Sequence, residues 1–224
     1  FRGSLWAIPR LLMFWVTTEA SRTGSRTLSL GSSLADFIRQ VGLDPSTSGG
    51  SRSDASRLKE QMKRLFSSRI NFTYEDNGSE FSRSHFLFAE KVQLWWNPNS
   101  TNIDSLFNSE IELGKQFFKE INDHPVPIDT HALSELKQSP LALDLYAWIT
   151  YRVSYLKKPQ TFRWELLHNQ FGPDYKNIRS FRFRVRQFLK RITLLYLDHN
   201  LEDDERGLTL LHSNTHIPKL NKNT

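Results

Sequence analysis

The chain of 224 residues contains no cysteine. That excludes a disulfide framework and a thiolate zinc site, and it suits a reducing cytoplasm. Long apolar runs are missing too. The run at residues 11–16 is flanked by Arg10 and Glu19 and falls far short of the roughly 20 residues that a membrane-spanning helix needs. Nothing resembles a signal peptide, so the Asn-x-Ser/Thr triplets at Asn71, Asn77 and Asn99 are read as chance. No Gly-x-x-x-x-Gly-Lys-Ser/Thr loop occurs, which argues against ATP-driven unwinding by this chain. The seven histidines are scattered, without a His-x-His or His-Glu-x-x-His spacing. A metal centre is therefore not expected, nor the paired-histidine site that a nickase would need beside Tyr175 or Tyr196. Asp203-Asp204 reads as a solvated turn and the lone His168 as a packing residue. No catalytic constellation remains, so the expectation is a protein that is not an enzyme and uses no cofactor. Residue 1 is Phe, from which a preceding N-terminal piece is expected.

One absence is local. Between Tyr175 and Arg191 there is no acid, while Lys176, Arg179, Arg182, Arg184, Arg186, Lys190 and Arg191 are all basic. The chain's net charge is +6, so outside this segment it is close to neutral. A confined positive stripe suits a surface that meets phosphates. Ile178, Phe181, Val185, Phe188, Leu189 and Ile192 recur every three or four residues, the spacing of an amphipathic helix. On that helix Arg179, Arg182, Arg186 and Lys190 share the face beside the apolar stripe, with Arg184 and Arg191 round the other side. Phe183 projects from the polar face. Arginines grip phosphates or guanine edges, and an exposed aromatic touches a thymine methyl or stacks on a base. A solvated amphipathic helix is the competing reading, as is packing of Phe183 on a neighbouring domain.

The chain also reads as two copies of one plan. In the first half a helix starts at Pro9, residues 28–30 form a short strand, and Ser33-Leu-Ala-Asp36 caps a short helix that ends at Gly42. A Ser/Gly stretch follows, then a basic helix at residues 53–68, then strands at 70–74 and 86–96 around Asp76-Asn-Gly. In the second half Ser139 and Pro140 open a long helix whose apolar face holds Leu141, Leu145, Trp148 and Val153. Thr161-Phe162 is a short strand, and the short helix at 164–170 closes at Gly172-Pro173. The stripe helix comes next, then strands at 194–197 and 208–212 around the acidic turn from Glu202 to Gly207. Pro9 and Pro140 lie 131 residues apart, and Gly42 and Gly172 lie 130 apart, so the offset holds across the unit. Residues 111–120 read as strand or helix, and His124-Pro-Val-Pro-Ile as an extended linker. Helix, strand, short helix, basic helix and hairpin is the order of a winged helix-turn-helix. The first basic helix carries Arg52, Arg57, Lys59, Lys63, Arg64 and Arg69 but also Asp54 and Glu60, and serves either as a phosphate clamp or as a mixed-charge surface helix.

Three stretches carry a family resemblance: Ile8-Pro-Arg-Leu-Leu-Met-Phe-Trp-Val-Thr-Thr-Glu-Ala20, Leu65-Phe-Ser-Ser-Arg-Ile-Asn-Phe-Thr-Tyr74, and Ser139-Pro-Leu-Ala-Leu-Asp-Leu-Tyr-Ala-Trp-Ile-Thr-Tyr-Arg-Val-Ser-Tyr-Leu156, which continues into Trp164-Glu-Leu-Leu and Gln170-Phe-Gly172. The chain resembles the RepA-type plasmid replication initiators of bacteria. The resemblance implies binding to repeated origin sites (iterons), help in opening an adjacent A/T-rich region, and recruitment of host replication proteins such as a helicase. It also implies dimers that repress their own gene and monomers that bind the origin. The acidic turn departs from the basic hairpin expected of a strong DNA binder.

The expectation is thus an α+β chain of two tandem winged-helix domains in the cytoplasm. Residues 1–122 would dimerise and contact the DNA backbone, and residues 123–224 would read duplex DNA. The candidate contacts are Arg179, Arg182, Phe183, Arg186 and Lys190, then Lys176 and Arg184, and in the first unit Arg52, Arg57, Lys59, Lys63 and Arg64. A dedicated transcriptional repressor, an origin-nicking nuclease and a pure protein-interaction module are the alternatives.

Overall fold

The structure, a computed structural model, describes residues 3–31, 33–43, 54–76, 80–94, 109–196 and 200–217. The chain is α+β and divides into two compact units, one of residues 11–125 and one of residues 126–224 together with residues 1–10.

Helix α1 (Gly3–Thr23) opens at Gly3 rather than at Pro9, which lies inside it. A proline there removes one backbone hydrogen bond. Ala7, Ile8, Leu11 and Leu12 on either side are all buried, and this packing carries the helix across the defect. Strand β1 (Thr27–Ser29) and helix α2 (Leu34–Gln40) follow. The Ser33 side chain accepts the Asp36 N–H at the start of α2. At its end Gly42 adopts φ +77 and Leu43 N–H bonds the Ile38 carbonyl at 2.9 Å, so the helix terminates where the sequence places the stop. Helix α3 (Asp54–Phe66) buries Leu58, Met62 and Phe66.

The strands after α3 differ from expectation. Strands β2 (Arg69–Asp76) and β3 (Glu80–Leu87) form their own antiparallel hairpin. Strand β4 (Ala89–Gln93) instead pairs with β5 (Glu110–Leu113), which also pairs with β1, giving the order β1-β5-β4. The run from Phe86 onward is thus not one strand. Fully buried Phe88 turns the chain between the two, with its ring 5.6 Å from Phe66 and 4.6 Å from Phe117. Residues 111–120 contain both candidate elements, the end of β5 and the start of α4 (Lys115–Asp123). Trp95 and Trp96 lie outside the described residues.

In the second unit residues 125–129 have no regular structure, as the prolines predict, but helix α5 (Thr130–Leu136) comes next and had no counterpart in the sequence reading. Its cap is Asp129, whose carboxylate accepts the Ala132 N–H at 2.7 Å. Helix α6 (Pro140–Tyr155) opens at Ser139 and Pro140 as expected and buries Leu141, Leu145, Trp148 and Val153. Asp144 on α6 takes two hydrogen bonds from the Arg10 guanidinium, both 2.6 Å. Strand β6 (Gln160–Arg163), helix α7 (Trp164–Phe171), helix α8 (Ile178–Leu195), and strands β7 (Leu201–Asp203) and β8 (Gly207–Leu210) complete the unit. Residues 194 and 195 are helix rather than strand. Buried Ile192 and Tyr196 stand one turn apart, and Tyr196 N–H bonds the Ile192 carbonyl at 2.8 Å, so the apolar helical spacing outlasts the β-favouring composition. The sheet order is β6-β8-β7, all antiparallel.

The two sheets repeat one topology. In each, the last strand lies between the first and the second. The β2–β3 hairpin is the addition in the first unit.

Candidate nucleic-acid interface

Helix α8 is set in place by three local devices. The Asn177 side chain accepts the Ser180 N–H at 2.9 Å, capping the first turn. Phe181, Val185, Leu189 and Ile192 bury one face. Gly172, between α7 and α8, lets the two helices close together: a Cβ there would lie 2.6 Å from the His168 ring and 2.8 Å from the Phe181 ring. The remaining face is turned to solvent. Arg179, Arg184 and Lys190 are exposed, Phe183 is 63% exposed, and Lys176 is exposed just before the helix.

Arg182 and Arg186 are placed differently. They stand one turn apart beside the Trp164 indole, with guanidinium carbons 5.3 and 5.8 Å from the ring centroid. Arg182 donates to Glu205 Oε2 at 2.9 Å and to the Asp204 carbonyl at 3.4 Å. Arg186 Nε donates to Asp203 Oδ2 at 2.6 Å. The acidic turn therefore folds back on the basic helix. It is itself tightly held: Trp164 Nε1 donates to the Asp204 carbonyl at 2.9 Å and Trp164 N–H to the Arg206 carbonyl at 3.1 Å. The N–H groups of Gly207 and Arg206 donate to Asp204 Oδ1, and they hold its carboxyl below the usual range. Arg184 donates to Gln187 at 2.9 Å and Arg191 to the Glu135 carbonyl at 2.9 Å.

Thus α8 gathers Arg179, Phe183, Arg184, Arg186 and Lys190 on one helix, with Lys176 just ahead of it, while Arg182 is drawn under the hairpin. The other candidates belong to the first unit. Arg57 and Lys59 are partly exposed on α3, and Lys63 and Arg64 are exposed there, Arg64 paired with Glu60. Arg52 lies outside the described residues. Sequence reasoning missed the role of Trp164 as a platform for two arginines; its signal is an aromatic at the start of the helix preceding the basic one. It also passed over an open groove where exposed Arg152, Lys157 and Lys158 stand beside Tyr151 and Tyr155. The Lys157-Lys158 doublet at the end of α6 is the signal there. Among the described residues no group of His, Asp or Glu could hold a metal ion, and no helix is long and apolar enough to cross a membrane.

The fold has solved counterparts. A crystal structure of domains 2 and 3 of RctB matches 94% of this chain and 82% of its own, with a TM-score of 0.59 at 13% identity. A second structure of RctB domains 2–3 matches 90% and 79%, with a TM-score of 0.53 at 14% identity. None of the curated proteins matches the sequence. The family model described as plasmid encoded RepA protein matches residues 5–166, which take in residues 8–20, 65–74 and 139–156 of the stretches that carry the resemblance and end before Gln170-Phe-Gly172. The chain belongs to this RepA family of plasmid replication initiators.

Proposed function

We propose that this chain initiates plasmid replication by binding repeated duplex sites at the origin through two tandem winged helices, without covalent chemistry. The observation that carries the reading is the outer face of α8, where Arg179, Phe183, Arg186 and Lys190 stand exposed or partly exposed on a helix that holds no acid. Its width suits the major groove of B-DNA. The order β6–α7–α8–β7–β8, with β8 between its partners, supports a winged-helix assignment for residues 123–224. The matching order β1-β5-β4 supports the same for residues 1–122, where Arg57, Lys59, Lys63 and Arg64 supply backbone contacts, joined by Arg52. Arg179, Phe183, Arg186 and Lys190 are the primary readers, Lys176 and Arg184 meet flanking phosphates, and Arg182 supports the hairpin. Dimerisation through the first domain, contact with host replication proteins and a cytoplasmic setting complete the proposal.

Footprinting on the parent plasmid's origin tests it. Protection of regularly spaced repeats, together with loss of plasmid maintenance on deletion of the gene, is the expected outcome. Protection confined to a promoter, with maintenance intact, would assign a repressor instead.

A further inference from the structure

The acidic turn is out of place on a surface that meets phosphates, and its contacts are specific. Arg182 and Arg186 are both held by it, in different ways. The Arg182 side chain is only 19% exposed, its Nη2 is held by the turn and its Nε is buried without a hydrogen-bond partner among the described residues, so its guanidinium is withdrawn from the outer face. The Arg186 side chain is 40% exposed, and the Asp203 carboxylate takes its Nε alone. Among the described residues neither Nη of Arg186 is bonded to protein. A guanidinium fixed at Nε presents its two terminal N–H groups as an end-on pair, the geometry that matches O6 and N7 of guanine.

We propose that Asp203 is a specificity-determining residue, which holds Arg186 end-on toward a base edge and disfavours its use as a phosphate clamp. This rests on the DNA-binding reading above. Two physical effects act together. A phosphate rewards any nearby cation whatever the sequence, and the Asp203 carboxylate repels it. A base edge is neutral, so it suffers less from that carboxylate and gains from a fork already ordered before binding. Non-specific binding is therefore weakened more than specific binding. Removing the Asp203 charge leaves the turn standing on its independent bonds from Trp164, Arg206 and Gly207. Glu202, exposed on the same strand, makes no bond to an arginine among the described residues, and it serves as the control for charge alone.

The test measures the affinity of the full chain for a duplex selected from a random-sequence library with the wild-type protein, and for a scrambled duplex, over a range of salt. Asp203→Asn is expected to bind scrambled DNA more tightly, with a salt slope steeper by about one, and to lose roughly fivefold or more of the selected-to-scrambled ratio. Glu202→Gln is expected to tighten both duplexes alike and keep the ratio. Arg186→Lys, which changes no residue of the hairpin, leaves the Trp164, Arg206 and Gly207 bonds to the turn in place and retains the charge without the fork, is expected to lower the ratio by a similar factor with scrambled affinity unchanged. The proposal is overturned by an unchanged ratio in Asp203→Asn and Arg186→Lys, or by a fall in Glu202→Gln as large as in Asp203→Asn. A wild-type chain that binds neither duplex and yields no selected sequence overturns the DNA-binding reading, and this proposal with it.

Discussion

Trp164 is 1% exposed, yet its ring faces two guanidiniums and its two N–H groups hold the acidic turn. One side chain thus joins the start of α7, the basic helix and the hairpin. Its replacement by alanine removes the packing and two cation–π contacts at once, and Trp164→Ala is expected to cost about 3–5 kcal/mol, read from urea unfolding. Tyr146 plays a comparable part at the C-terminal tail. Its hydroxyl accepts the Asp129 N–H at 3.0 Å and lies 2.7 Å from His216 Nδ1, while the His216 ring stacks on Tyr196 at 4.7 Å. Burial pushes the Tyr146 hydroxyl well above its ordinary range, so it stays protonated. Tyr146→Phe leaves the Asp129 amide without that partner and is expected to cost about 1–3 kcal/mol in the same assay. Neither residue declares its role in the sequence, because each role depends on partners far along the chain.

Helix α8 was legible in the sequence because its instructions are local. The apolar spacing from Phe181 to Ile192 and the close turn at Gly172 both stand in the sequence, and the structure adds the Asn177 cap. Asn177→Ala is expected to destabilise the fold by about 1 kcal/mol, measured by thermal melting. The elements that escaped prediction depend on distant partners. The division between β3 and β4 follows from Phe88 entering a core made by Phe66 and Phe117, and α5 from its packing on α6. The contact between the acidic turn and the basic helix was equally out of reach, although the opposite charges were visible. The turn carries a pH prediction. Asp204 is held below the usual carboxylate range by two backbone N–H groups, so its contribution to stability is complete above its unfolded pKa. That contribution is lost as pH falls through the depressed folded value. The Arg206 and Gly207 amide resonances are expected to keep their folded positions below the ordinary aspartate range. Asp204→Asn is expected to remove that acid dependence.

The two units share one sheet order, which the constant offset between landmarks had suggested, but the hairpin after α3 is an addition rather than the equivalent of β7–β8. The bidentate Arg10–Asp144 pair joins two of the stretches that carry the family resemblance, giving those residues a structural task besides any functional one. In charge terms the second unit is the better armed, yet its hairpin neutralises part of its own stripe. On the proposed DNA-binding reading, that arrangement favours discrimination over raw affinity. If roughly six to eight phosphates are neutralised, log affinity falls with log salt at a slope of about −5 to −7. The decisive experiment is a mobility-shift titration of the full chain on the origin repeats and on a scrambled duplex, with wild type beside Phe183→Ala and Arg179→Ala. Site-specific reading by α8 predicts tighter binding to the repeats, this salt slope, and loss in both variants of most of the preference for the repeats. Equal affinity for the two duplexes in wild type, or variants that keep the full preference, would contradict it.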